Sequence, residues 1–98
     1  MTTTTGRCLC GAVTYTFDAS ATIWTGHCHC ESCRRACAAP MVSWFGVPNE
    51  AWRWTAAQPA HYKSSTWADR YFCATCGSQM AYRSDKLPNV IHGLSTAA

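Results

Sequence analysis

Cysteine falls in three tight clusters in this chain of 98 residues: Cys8-Leu-Cys10-Gly11, Cys28-His-Cys30-Glu-Ser-Cys33 and Cys73-Ala-Thr-Cys76-Gly77. An eighth cysteine, Cys37, follows the middle cluster. C-x-C and C-x-x-C spacings present paired soft ligands of the kind that tetrahedral zinc prefers. On an extended chain the two sulfurs of C-x-C share one face. A C-x-x-C followed by Gly makes a tight knuckle whose last residues favour φ > 0. Eight cysteines at this length also reach the density of a disulfide scaffold. That reading needs an oxidising compartment, and the start MTTTTGRCLC has no basic region followed by an apolar one. No apolar run approaches the length that spans a bilayer. A soluble cytoplasmic protein whose reduced cysteines bind metal is therefore expected.

With 48% apolar and 13% charged residues, the composition is that of a compact chain, and its length predicts a single domain over 1–98. The formal charge of +3 counts thiols as neutral. Seven thiolates and two divalent cations would bring it to zero, so the basic balance gives no argument for a nucleic-acid or membrane partner.

Turn residues at short intervals separate segments rich in Val, Thr, Tyr, Trp and Ile, which predicts an all-β fold. Strands are expected at AVTYTF, TIWTGH, MVSWF, AWRWT, AHYKSS, DRYFC, QMAYRS and NVIHGL. Pro40, Pro48, Pro59 and Pro88 are read as punctuation between these runs, and the Thr2 to Thr5 run as a frayed terminus. CESCRRACA is the one segment suited to a helical turn. The five tryptophans are expected mostly in the core. Asp69 and Asp85 are read as turn or cap residues flanking strands, and His61 and His92 as surface or strand residues.

Joining the first and last clusters gives a complete four-thiolate set, Cys8, Cys10, Cys73 and Cys76, and four protein ligands close a structural site. Cys28, Cys30 and Cys33 then form a three-thiolate set, the pattern of a catalytic zinc with one exchangeable position. Spacing also permits a different partition, with Cys30, Cys33, Cys73 and Cys76 in a ribbon-like site. The fourth position of the middle set has Cys37, His27, His29 and solvent or substrate as candidates. His29 alternates away from its neighbours on an extended chain. Cys37 shares a face with Cys33 if the segment is helical; otherwise it is a small buried apolar side chain. Arg34 and Arg35 either offset the charge of three thiolates and contact an anion, or lie on a solvated turn.

CLCG, CHCESCRR, AAPMVSWFGVP and FCATCGS resemble, in order and spacing, the glutathione-dependent formaldehyde-activating enzyme family, whose zinc domain also occurs in centromere protein V. The resemblance runs from about Gly6 to Asp85. It implies a β-tent fold of small antiparallel sheets around a structural zinc. It also implies two zincs per chain, with Cys8, Cys10, Cys73 and Cys76 holding the structural one and Cys28, Cys30 and Cys33 the active-site one. The implied activity is that of a carbon–sulfur lyase joining a glutathione-like thiol to a small aldehyde such as formaldehyde, or cleaving the adduct. Two departures stand out. Cys37 occupies a position where similar members carry Ser, Thr or another small residue, and the chain ends soon after PNVIHGLSTAA, where the family continues through further strands. The short end is expected to remove part of a sheet edge, and a second subunit is a candidate to complete it as a homodimer. The rival class is a non-catalytic zinc module that binds protein or nucleic acid, with exposed tryptophans stacking bases.

Overall fold

The computed structural model describes residues 2–95 and 98. The β-rich texture forms two antiparallel sheets. In the first, β1 (Thr3–Arg7), β2 (Thr14–Asp18) and β5 (Trp52–Trp54) lie in the order β1-β2-β5. The second contains β3 (Trp24–Cys28), β4 (Val42–Pro48), β6 (Ala60–Ser65), β7 (Ala68–Phe72), β8 (Gln79–Ser84) and β9 (Leu87–Leu94), in the order β3-β4-β9-β8-β7-β6. The α-helix α1 (Glu31–Cys37) interrupts the path from β3 to β4 and ends at Ala38, which takes a left-handed conformation at φ 51°.

The principal core lies where the sheets meet. Tyr15 and Phe17 point the same way from β2, as the two-residue period requires, and meet Phe45 and Val47 from β4 and Trp52 from β5. Tyr15 stacks on Trp52 at 4.0 Å between centroids, and Phe17 stacks on Phe45 at 4.6 Å. Cys8 and Cys73 belong to the same buried cluster, so the first and last cysteine motifs sit against the junction of the sheets. A second cluster of Cys33, Val42, Trp44 and Leu94 lies under the middle motif.

The all-β reading holds, with each predicted run inside or overlapping a strand and the helix where CESCRRACA placed it. Three expectations are corrected. Thr3–Arg7 is not frayed: it pairs with β2 from Thr3↔Asp18 to Arg7↔Thr14, because β-branched threonines suit a strand that has a partner. Pro48 closes β4 and Pro88 lies within β9, beside the register shift between Arg83 and Ser84, where no ladder bond is lost. Asp69 sits inside β7, paired with Lys63 and Arg83, and does not flank it. Of the tryptophans, Trp44 and Trp52 are buried, whereas Trp24 and Trp67 stay 39% and 42% exposed.

Candidate metal centre

The sequence turns tightly at both ends of the first cysteine group. Cys8 and Cys10 follow β1, and Gly11 at φ 83° turns the chain so that its amide donates to the Cys8 carbonyl at 3.2 Å. Cys73 and Cys76 occupy the turn between β7 and β8, where Gly77 at φ 79° donates to the Cys73 carbonyl at 2.8 Å. Both glycines occupy the left-handed region, which a side chain would strain. The four Sγ atoms of Cys8, Cys10, Cys73 and Cys76 lie within 4.8 Å of one another. Cys8–Cys10 and Cys10–Cys73 are 3.6 and 3.7 Å apart. A tetrahedron with Zn–S bonds of about 2.3 Å has S···S edges of about 3.8 Å, whereas a disulfide brings sulfurs to about 2.05 Å. The donors and their spacing therefore fit a tetrahedral soft metal. Ser78 Oγ lies 3.2 Å from Cys76 Sγ, and that contact leads the effects holding Cys76 down to about 5.

The second group forms where β3 runs into α1. The Sγ atoms of Cys28, Cys30 and Cys33 also lie within 4.8 Å of one another. Cys30 caps α1, its sulfur accepting the Cys33 amide at 3.3 Å. That bond is the largest influence holding Cys30 down to about 7, with Cys28 next. Burial pushes Cys33 up to about 12, opposed by Arg70. Three sulfurs within one small volume suit a divalent cation, which stabilises all of them as thiolates.

These three cysteines line a cavity of about 460 Å³. Its apolar wall is made by Trp24, Trp44, Trp67 and Tyr82. Arg70, only 6% exposed, is the charged side chain among its described lining residues. Its Nη2 donates to Ser32 Oγ at 2.8 Å and toward Cys33 Sγ at 3.7 Å, and its guanidinium lies 5.1 Å from the Tyr82 ring centroid. His92, 6% exposed on β9, also lines the cavity; burial lowers its pKa.

A family profile described as glutathione-dependent formaldehyde-activating enzyme matches residues 3–95. The chain belongs to that family. Over 67 residues, 66% of the chain, it is 34% identical to an uncharacterized lyase from Schizosaccharomyces pombe. The match covers 48% of that relative, so the chain spans about half of the relative's length. A crystal structure of a Rhodobacter sphaeroides protein is similar at TM-score 0.80 and 20% identity, covering 97% of this chain and 87% of that one. This likeness concerns the fold. No helix among the described residues is long and apolar enough to cross a membrane.

Among the described residues of this family member, the cysteines group as four and three, and the ribbon-like grouping of Cys30 and Cys33 with Cys73 and Cys76 is not the one that forms. Cys37 is not in the three-sulfur group; it is half-buried against the cluster of Cys33, Val42, Trp44 and Leu94, and burial raises its pKa. Arg34 is exposed beside a separate recess with Glu31 and Arg35, and Arg35 pairs with Glu31 at 2.8 Å. His27 is exposed, with Nδ1 2.8 Å from Ser43 Oγ, and His29 is exposed as well. The cation beside the three sulfurs is instead Arg70, which sequence reasoning missed. The usable signal was parity: Arg70 shares the inward face of β7 with buried Ala68, where an unpaired charge has no place.

Proposed function

We propose that the chain is a zinc-dependent carbon–sulfur lyase-type enzyme that joins a thiol to a small aldehyde, or cleaves the adduct. The observation that carries this reading is the contrast between the two sulfur groups. Four sulfurs close one group, whereas the other has three and opens into a walled cavity. Cys8, Cys10, Cys73 and Cys76 would hold a structural zinc, and Cys28, Cys30 and Cys33 a second one. When bound there, the second zinc supplies an open position that lowers the pKa of a thiol.

The protein residues set the surroundings of that chemistry. Arg70 places positive charge against Cys33, so that three thiolates and a divalent cation do not leave a buried negative excess. The Ser32 hydroxyl fixes the guanidinium in that position. Trp24, Trp44 and Trp67 restrict water, which competes with the thiol for an aldehyde carbon. In the addition a C–S bond forms, the C=O π bond breaks, and the oxygen takes the proton that the thiol gives up. Cleavage reverses each change. Family membership and the lyase-named relative support the reaction class.

The test is exchange spectroscopy of formaldehyde with a thiol in the presence of the zinc-loaded protein. Accelerated adduct exchange that is lost in Cys30→Ser is expected. Two tightly held zincs with no acceleration for glutathione, 2-mercaptoethanol or benzyl mercaptan would favour the non-catalytic zinc module.

A further inference from the structure

We infer that the thiol accepted by this site is an uncharged one with an apolar, aromatic-sized body, and that glutathione is a poor ligand. The inference rests on the thiol–aldehyde reading above and narrows its substrate class. The cavity wall beside the three sulfurs includes Trp24, Trp44, Trp67 and Tyr82, and Trp24 and Trp67 remain 39% and 42% exposed. Aromatic faces of this kind reward an apolar or aromatic body.

The charge within the cavity points the same way. Glutathione brings two carboxylates and an ammonium, and each must keep its water or find a partner. Among the described lining residues Arg70 is the cation; its Nη2 is committed to Ser32 and Cys33, which leaves the buried, unpartnered Nε and the Nη1 group. These remaining donors can meet one carboxylate, which leaves the second carboxylate of glutathione without a cation among the described lining residues. His92 is held toward its neutral form by burial and adds no charge. Lys86 stacks 4.3 Å from the Trp67 ring centroid and is not among the described lining residues. Arg35 belongs to an adjoining groove and is paired with Glu31. The remaining polar atom of note, the unpartnered Ser65 Oγ, suits a hydroxyl such as that of a hydroxymethyl adduct.

Calorimetric titration of the zinc-loaded protein with benzyl mercaptan and with glutathione tests this without reference to turnover. Benzyl mercaptan is expected to bind at least about tenfold more tightly. Replacing Trp67 by Ala should shrink that preference, and Trp67→Phe should restore most of it. Equal or tighter binding of glutathione overturns the inference, and its loss in Arg35→Ala would locate the anion contacts in the adjoining groove. Adduct exchange with formaldehyde, measured on the same samples, tests the thiol–aldehyde reading separately: exchange with glutathione preferred keeps that reading and sinks this one.

Discussion

Replacing Arg70 by Met keeps most of the side-chain volume and removes the cation that, among the described residues, lies beside the three-sulfur group. The Nη2···Sγ distance to Cys33 is 3.7 Å. At an effective dielectric of about 20, unit charges at that distance attract by about 4 kcal/mol. The thiolate charge is shared with a bound metal and part of the attraction offsets desolvation, so a net loss of about 2 kcal/mol is a reasonable expectation. That corresponds to about 30-fold weaker zinc binding at the second group. The first group should keep its affinity, since Cys8, Cys10, Cys73 and Cys76 are held without Arg70. Competition with a chromophoric chelator resolves the two affinities in one titration. Arg70→Lys should recover part of the loss, because it restores charge without the bond geometry to Ser32. Equal zinc affinities in wild type and Arg70→Met, in a variant that melts normally, would refute the claim that Arg70 balances the thiolates.

Three further outcomes follow from the same geometry. Cys37→Ser should leave zinc content unchanged and cost no more than about 1 kcal/mol in a denaturant melt, because the thiol is half-buried and outside the three-sulfur group. Gly6→Ala should lower stability by about 2 kcal/mol in the same melt, since a Cβ on Gly6 would run into the Tyr15 ring on the neighbouring strand. Burial lowers the His92 pKa, so the unfolded chain takes up a proton first as pH falls below the ordinary histidine value; stability should decline there and level off below the folded pKa. His92→Phe should be less acid-sensitive than wild type between roughly pH 7 and 5, after subtraction of zinc loss measured on both proteins.

The strands were legible because their apolar residues alternate and their ends carry turn residues. The Val13, Tyr15, Phe17 face is the clearest case, all three side chains being buried. β1 was hidden because its three threonines carry no alternation; what makes them a strand is the partner β2, a tertiary fact. The cysteine grouping was legible from spacing and resemblance. The cavity was not, because Trp24, Trp44, Trp67, Arg70 and Tyr82 arrive from separate strands and turns whose lateral order in the sheet, β3-β4-β9-β8-β7-β6, is not written in local pattern. β9 hid His92 for a related reason. It lies between β4 and β8, and the run from Ile91 to Leu94 is buried on both faces, so no parity marks the histidine.

The proposed chemistry requires one metal site closed by four sulfurs and a second that three sulfurs leave open. Zinc K-edge absorption on the loaded protein, with and without added benzyl mercaptan, measures this directly. Two zincs per chain are expected, with an average of about 3.5 sulfurs per zinc rising to about 4 when the thiol is added. A single zinc per chain, or four sulfurs around both zincs before any thiol is present, would contradict it.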